Sequence, residues 1–447
     1  MNKEFIEHLI QKTRDMSSYL SFNEEKLDIY QGNILHHVNN ILQESLSANY
    51  YDKIKSRIVP INVLTRVIDK MSKVYIKTPD RISETHQDWV DEIEKTTAIN
   101  TIMGTCDSYA NLFKGYLIQP YVHNREMKLR PIAYDRFIPL SDDKSPEHMN
   151  GLLVYMGKVQ TGLSDYNDLW YYYDDKDFLP FTTNGNIYAP ALEGNDGVNP
   201  YGFIPFVYGN RSITKIIPKQ DTDIAQISKM IPVVLSDLAG AIMFQCFSII
   251  YGIDINAENM TMTPNAFWSL KSDKTSDKTP SVGTIKPQVD ISEVREYVID
   301  VFSLWLETKG VRVGSVGSVN GARIANGISK IIDEMDVFEI RKESIQFFMR
   351  EEEELWGKLR AMNNHWSKAG EIDTEVVGDN FDFSISFEDP RPELSREEKV
   401  RTLKREVESG LTSRKQAMKT LHPDLTDEQI EENLKNGVDK NENQDSQ

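Results

Sequence analysis

Apolar residues recur every three to four positions in several parts of the chain, a spacing typical of helices that bury one face. In the stretch Pro60–Tyr75 the period is near 3.6, and Pro60 is suited to the first turn of a helix. The apolar positions of this stretch are Ile61, Leu64, Val67, Ile68, Met71 and Val74. We therefore predict that residues 1–100 are largely helical.

Between residues 114 and 208 the pattern changes to an alternation of apolar and polar residues. This alternation predicts β-strands joined by hairpins, with turns near His123–Arg125 and at Asn184–Asn186. The aromatic run Tyr171–Tyr173 is interpreted as part of a strand, in its core and at its edge, rather than as a platform for stacked bases. The segment Asn199–Gly202 predicts a loop.

A second helical region is predicted over residues 221–252, and Pro232 should kink this helix or split it in two. Its second half, Leu238–Ile253, is the most membrane-like segment of the chain, but it contains Gln245. A membrane span needs about 20 apolar residues and usually has a cationic flank. The shorter run, flanked by aspartates, favours a buried helix.

Residues 254–289 form a polar, proline-containing insertion, for which two short strands are predicted at Ala266–Lys271 and Val282–Lys286. A further helix is predicted to start at Asp290, which can form a capping box with Glu293. The apolar stripe of this helix comprises Ile291, Val294, Val298, Val301, Leu304 and Trp305.

This helix should end at Gly310, and glycines interleaved with small polar residues follow as far as Gly327. A phosphate-binding loop is disfavoured here, because no buried strand precedes the glycines and no lysine follows the last of them. From about Ala322 to Trp366 an apolar period near 3.5 predicts one long helix. Its acidic run Glu351–Glu354 is predicted to face solvent.

The C-terminal part begins with Phe381–Phe387, whose alternation predicts a strand. Pro390 and Pro392 then mark a boundary, and residues 395–436 are predicted to form further helices. The tail 437–447 has the composition of a disordered segment. The fold class expected from these elements is α+β and mainly helical.

Length and composition narrow the possible functions. The 447 residues are enough for two or three domains, and the formal net charge of −18 disfavours a static DNA clamp, because duplex affinity comes mainly from cation–phosphate contacts. The two cysteines, Cys106 and Cys246, are predicted to be buried free thiols of a protein made in a reducing compartment, and they are too few for a zinc ribbon.

Basic residues cluster in one part of the N-terminal region. They are Lys53, Lys55, Arg57, Arg66, Lys70, Lys73 and Lys77. Such a cluster is most often a solvated helix face or a set of partners for an acidic neighbour. A DNA-facing surface is the more specific alternative.

Motifs of known enzyme chemistry are absent from the sequence, which has no GxxxxGK[ST], HExxH or GxSxG pattern. Asp221 and Asp223 are interpreted as residues that favour the start of a helix rather than as metal ligands. His36 and His37 are adjacent and so do not share a helix face. We therefore predict no enzymatic activity, no metal site and no cofactor.

Four segments, taken in order, resemble the portal (head–tail connector) proteins of long-tailed bacteriophages. They are SRIVPINVLTRVIDKMSKVYIKTP, NPYGFIPFVYGN, IKPQVDISEVREYVIDVFSLWLETKGVRVG and FEDPRPELSREEKVRTLKREVESGLTSRKQAMKTLHPDLTDEQIEENL. The resemblance covers about residues 50–437. It implies a wing at 1–220, stem helices at 221–253 and 290–310, a clip at 254–289, a tunnel loop at 311–323, a long helix with a wing strand at 324–394 and a crown at 395–436.

The resemblance also implies a ring, in twelve copies, at the unique capsid vertex. Its expected partners are double-stranded DNA passing non-specifically, the terminase large subunit, the major capsid or scaffolding protein, and head-completion or tail adaptors. The protein is thus expected in the virion, after synthesis in the host cytoplasm, and not in a membrane. The acidic composition predicts a mostly electronegative channel, which a continuous basic lumen would contradict.

Two sets of site residues follow from the same resemblance. The tunnel-loop residues expected to border the DNA channel are Arg312, Gly314, Ser315, Gly317, Ser318, Asn320 and Arg323. The clip residues expected to dock terminase or adaptor proteins are Trp268, Lys271, Lys274 and Lys278. Small residues suit a narrow, weakly binding passage, and the two arginines suit transient contacts with phosphates.

Two other classes of protein remain open from the residues alone. A non-portal scaffold or adaptor of the virion would share the long apolar helix stripes and the lack of catalytic motifs. A hydrolase is the second alternative, with carboxylates brought together by folding from distant positions.

Overall fold

The computed structural model describes residues 3–162, 164–192, 196–246, 249–253, 281–285, 290–309, 337–388, 400, 403–407, 409 and 412–421. These residues form a mixed α+β fold, as the sequence predicted. The chain divides into two compact units, Met1–Phe387 and Glu388–Gln447. The division falls just before the prolines that marked a boundary in the sequence.

Helices dominate the first unit. They are α1 Lys3–Asp15, α2 Ser17–Tyr30, α3 Ile34–Ser45, α4 Ala48–Ile54, α5 Val63–Met71, α6 Gln87–Thr97, α7 Ile99–Phe113, α8 Thr222–Cys246, α9 Ile291–Thr308 and α10 Val337–Ala369. Short 3-10 turns occupy Lys55–Arg57, Val74–Ile76 and Ala189–Leu192. The predicted helical character of the first hundred residues is confirmed for its described part.

The strands of the first unit form small antiparallel sheets. They are β1 Asp80–Ile82, β2 Gly115–His123, β3 Glu126–Ile132, β4 Phe137–Leu140, β5 Gly151–Gln160, β6 Tyr166–Tyr173, β7 Phe178–Thr182, β8 Val207–Asn210, β9 Ile249–Ile253, β10 Ser281–Ile285 and β11 Ser384–Ser386. The sheet orders are β3-β2-β8, β4-β5-β6-β7, β1-β11 and β9-β10.

The predicted β-rich segment is confirmed. The turn between β2 and β3 falls at Asn124 and Arg125, both with positive φ, and the turn after β7 falls at Gly185. The tyrosine run lies in β6, where Tyr172 is buried and pairs with Leu179 of β7. These tyrosines therefore serve strand packing, as expected.

Three hydrophobic clusters hold the first unit together. The first joins α2, α3 and α5 to α8 and α9, and it reaches the sheets through residues such as Leu117 and Phe137. The second surrounds α10 with α6, α7, β2 and β3, and it includes the buried Cys106. The third packs α1, through Ile6, Leu9 and Ile10, on the four-stranded sheet.

The predicted helix at Pro60–Tyr75 is shorter than the apolar stripe suggested. Helix α5 begins at Val63, after the cap residue Asn62, whose Oδ1 accepts a hydrogen bond from Thr65 N at 3.2 Å. The placement of Pro60 in the first turn was wrong, because the proline lies before the cap. Leu64, Val67 and Ile68 are buried as the stripe predicted.

The second helical region also differs from its prediction. Helix α8 runs through Pro232 as one helix, so it is not split, and it stops at Cys246. The last apolar residues form strand β9, which pairs with β10 from Ile249–Ile285 to Ile253–Ser281. The predicted strand at Val282–Lys286 is thus confirmed within one residue, and the one at Ala266–Lys271 lies outside the described residues.

Helix α10 corresponds to the C-terminal part of the predicted long helix, and the residues before Val337 lie outside the described part. The prediction that the acidic run Glu351–Glu354 faces solvent was correct for only two of its four residues. Glu353 and Glu354 are exposed, whereas Glu351 and Glu352 are 4% and 0% exposed and belong to the interior.

The C-terminal strand prediction was too long. Only Ser384–Ser386 forms a strand, which pairs with β1 through Arg81 and Ile385. In the second unit, residues 403–407 are helical and a further helix, α11, spans Arg414–Leu421. The remaining predicted crown helices and the tail lie outside the described residues.

Candidate functional site

The helices α8 and α9 form a hairpin with paired strands at one end. Asp223, in the first turn of α8, contacts Trp305 and Lys309 at the end of α9. At the other end, α8 leads into β9, and β10 leads towards α9, with the two strands antiparallel. The helices are therefore antiparallel, and residues 254–280, which link the two strands, lie outside the described part.

Helix α8 contains a described segment, Thr222–Ile242, that is long and apolar enough to cross a membrane by length and composition. Half of its most apolar window is buried within the fold, where Ile224, Ile231 and Leu235 join the first hydrophobic cluster. The core helix of a soluble protein meets the same criteria, so this property alone is weak evidence for a membrane.

Helix α9 starts where the sequence predicted. Asp290 caps it, with Oδ1 accepting hydrogen bonds from Ser292 N at 2.8 Å and Glu293 N at 3.3 Å. The helix ends at Thr308, close to the predicted stop. Its apolar stripe was partly wrong, because the buried residues are Val298, Phe302, Trp305 and Leu306. Ile291 and Leu304 are exposed.

An ionic cluster holds the open end of the hairpin. Lys309 Nζ lies 3.0 Å from Asp221 Oδ2 and 2.9 Å from Asp223 Oδ2. Trp305 Nε1 donates to Asp223 Oδ2 at 3.0 Å, and Lys114 Nζ lies 3.1 Å from Asp221 Oδ2. The two aspartates therefore pair with lysines. Asp223 lies in the first turn of α8, as its interpretation as a helix-start residue predicted, but that interpretation missed these partners.

Burial and charge act in opposite directions on this cluster. Burial acts to raise the pKa of Asp221, but Lys114 and Lys309 outweigh it and hold that pKa below its ordinary value. Burial lowers the pKa of Lys26 on α2 to about 8, although the charge of Asp221 acts to raise it. The lowered pKa of Asp221 therefore favours its ionised form beside Lys114 and Lys309.

The outer side of α9 carries only acidic charges. Glu293, Glu296, Asp300 and Glu307 are exposed and make no ion pair with the described residues. At 100° per residue they fall within an arc of about 60°, on the side opposite to the buried stripe. Tyr297 and Leu304 both lie beside this arc, on the same side of it, and are 54% and 64% exposed. We call the four acids the α9 acidic face.

A second charged surface rests on α8 and is basic. Lys53, Lys55 and Arg57 are exposed within five residues at the end of α4 and in the following 3-10 turn. Lys55 pairs with Asp52 at 2.9 Å, and Lys53 and Arg57 make no ion pair with the described residues. We call these three residues the basic turn.

Close contacts fix the basic turn to the second half of α8. Val59 N donates to Ser236 Oγ at 3.1 Å, and Tyr50 Oη lies 2.7 Å from the point where a Cβ on Gly240 would be. A side chain at position 240 would therefore displace the Tyr50 hydroxyl.

Helix α10 is fixed to earlier parts of the chain at several points. Arg341 donates to the backbone oxygen of Lys73 at 3.1 Å, and Arg211 Nη2 donates to Ser344 Oγ at 3.1 Å. Lys358 Nζ donates to Phe206 O at 2.7 Å. The chain leaves α9 after Lys309 and re-enters the described fold at Val337, so two anchored helices bracket the predicted tunnel loop.

Two buried carboxyl groups near α10 have unusual proton affinity. Burial raises the pKa of Glu351 to about 7, against the opposing effect of Arg350, and raises that of Asp107 to about 6. Among the described residues, Glu351 Oε2 has no hydrogen-bond partner, whereas Asp107 Oδ2 accepts a hydrogen bond from Val74 N at 2.9 Å. Glu351 lines an open cleft of about 940 Å³ between α10 and the loops before and after β8.

The predicted site residues themselves lie outside the described part of the chain. This holds for all the tunnel-loop residues, Arg312, Gly314, Ser315, Gly317, Ser318, Asn320 and Arg323. It holds equally for the clip residues Trp268, Lys271, Lys274 and Lys278.

What the structure adds is the framework on either side of these segments. The lysine–aspartate cluster was not predicted, because its two lysines lie far from Asp221 and Asp223 in the chain and no local pattern joins them. The α9 acidic face was not predicted either, although its spacing of three, four and seven residues is a readable signal.

Comparisons with known proteins assign no family to the chain. No protein-family model matches it, and no curated protein matches it significantly. Among the described residues, no group of three or more His, Cys, Asp or Glu side chains is arranged to hold a metal ion.

Proposed function

We propose that the chain is a portal subunit of a tailed bacteriophage, a structural protein that forms a ring through which DNA enters and leaves the capsid. The observation that carries this proposal is the α8–α9 hairpin with the paired strands β9 and β10 at its end. This order of helix, strand, strand and helix occupies the chain positions that the resemblance to portal proteins gives to stem, clip and stem.

The neighbouring elements support the same proposal. A β-rich segment precedes the hairpin, and the long helix α10 follows it after a glycine-containing linker. Portal proteins, as the resemblance implies, have a wing, a tunnel loop and a long helix in these places. The order of the parts thus agrees along most of the chain.

The charge of the chain fits a passage for DNA better than a DNA-binding site. Every copy in a ring would add a formal charge of −18, so phosphates would be repelled rather than held. We therefore expect a mostly electronegative channel in the assembled ring, bordered by the tunnel loop at 311–323. The terminase, capsid or scaffolding protein and head-completion or tail adaptors are the proposed protein partners.

Mass photometry and negative-stain imaging of the purified protein test this proposal. We expect rings with an open centre and about twelve copies, the number implied by the resemblance. A stable dimer would favour a non-portal scaffold instead. A monomer at all concentrations, together with its absence from the virion, would contradict the proposal, because a ring needs an interface that closes on itself.

A further inference from the structure

The α9 acidic face is electrostatically unfavourable in a single copy of the chain. Glu293 and Glu296 are three residues apart and Glu296 and Asp300 are four apart, spacings at which like charges on a helix repel each other. A cationic partner would remove this repulsion.

The exposed apolar side chains beside the acids indicate a protein partner. Tyr297 and Leu304 lie seven residues apart on one flank of the acidic face, and both are more than half exposed. Lysine and arginine side chains can cover such groups with their aliphatic stems while their charged ends reach carboxylates. DNA is excluded as the occupant, because its phosphates repel the acids.

The basic turn has the complementary properties. Its three cations lie within five residues, and only Lys55 has a carboxylate partner among the described residues, Asp52. Both surfaces lie on elements that pack against α8. The basic turn is joined to α8 through Ser236, and the acidic face lies on α9, which packs against α8. A head-to-tail ring requires two unlike, complementary surfaces on every copy.

We infer that the α9 acidic face of one copy binds the basic turn of the next copy, an inference that rests on the proposed ring. The contact is heterologous, so each copy gives its acids to one neighbour and its cations to the other. Tyr297 and Leu304 pack against the stems of the partner's basic side chains. The attraction weakens as salt rises, because most of these charges stay near solvent.

A charge exchange tests this pairing. Variant A carries Glu296→Lys and Asp300→Lys, and variant B carries Lys53→Glu and Arg57→Glu. Alone, each variant places like charges at every interface, and we expect the ring fraction to fall by about tenfold or more. Mixed in equal amounts, the two variants restore opposite charges at every interface if copies A and B alternate, and rings return.

A matched control for variant A carries Glu92→Lys and Glu353→Lys, which make the same change in net charge as variant A at exposed positions of α6 and α10. We expect it to assemble normally, and circular dichroism establishes that all variants fold. Mass photometry reads the ring fraction of each sample.

The outcomes separate this inference from the proposed function. If the unaltered protein forms rings but the mixture of A and B does not, the pairing is wrong and the ring stands. If variant A assembles fully by itself, the acidic face lies elsewhere, such as in the channel, and the pairing is also wrong. If the unaltered protein forms no ring, the proposed function fails first.

Discussion

Arg81 and Glu352 form a fully buried, bidentate ion pair, although they are 271 residues apart in the sequence. Arg81 Nε donates to Glu352 Oε2 at 2.6 Å, and Nη2 donates to Oε1 at 2.7 Å. Tyr75 Oη and Trp356 Nε1 also donate to this carboxylate, at 2.7 and 3.3 Å. The pair therefore fixes α10 to the strand β1 inside the second hydrophobic cluster.

Replacing Arg81 by alanine should strongly destabilise the fold. The change leaves the carboxylate of Glu352 buried without its counter-ion, which typically costs about 3–5 kcal/mol. Urea denaturation followed by tryptophan fluorescence measures the loss. The exposed pair of Lys3 and Glu7, at 3.9 Å, is the control, and Lys3→Ala should cost under about 1 kcal/mol.

The same experiment has an informative double variant. Arg81→Met with Glu352→Leu removes both charges and should recover part of the lost stability, because apolar groups of similar size tolerate burial. Equal stability of Arg81→Ala and the unaltered protein would show that this pair does not hold α10.

Replacing Lys309 by methionine should loosen the end of α9. The change removes the ammonium between Asp221 and Asp223, both partly exposed, so we expect a loss on the order of 1–2 kcal/mol. Hydrogen exchange should speed up in the last turn of α9 and the first turn of α8. Unchanged exchange at both ends would contradict a clamping role for Lys309.

The stability of the fold should rise as pH falls from about 7 towards 5. The pKa of Glu351 is raised from 4.5 to about 7 and that of Asp107 from 3.8 to about 6, mainly by burial. In this range the folded chain binds protons that the unfolded chain does not, so its stability is greatest below the unfolded pKa and is lost as pH rises through the folded one.

Glu351→Gln isolates the larger of these effects. The variant has no carboxyl group to titrate at this position, so its unfolding free energy should depend less on pH between about 5 and 7. Denaturation midpoints across that range measure the slope. An unaltered slope in the variant would assign the pH dependence to other groups.

Deleting residues 310–320 should separate assembly from DNA handling. The segment lies between two anchored helices and outside both proposed interface surfaces, so rings should still form. We expect DNA packaging or retention to be impaired, because the glycine- and serine-rich passage is missing. Normal packaging by the deletion variant would remove this role from the segment.

Local signals in the sequence predicted much of the fold correctly. The cap Asp290, the buried positions Leu64 and Val67, and the hairpin turn at Asn124 all depend on near neighbours in the chain. Strand β9 was missed because an apolar run reads equally well as helix or strand, and only its pairing with β10 decides the matter.

Long-range partners account for the remaining errors. Glu352 interrupts an apolar stripe and was predicted to face solvent, and only the position of Arg81 in space makes its burial favourable. The ion pairs of Lys309 with Asp221 and Asp223 were missed for the same reason. No local rule distinguishes a lysine at a helix end that faces solvent from one held between two aspartates of another helix.

The distance in sequence between partners in the second hydrophobic cluster affects how this protein folds during synthesis. Arg81 cannot form its ion pair until Glu352 has been synthesised. Thr85 likewise cannot form its hydrogen bond until Asp382, which follows 297 residues later, has been synthesised. Until then the apolar side of α6, with Trp89, Val90 and Ile93, has no α10 to cover it. A nascent chain that ends before α10 should thus expose a large apolar surface on the ribosome and depend on chaperones.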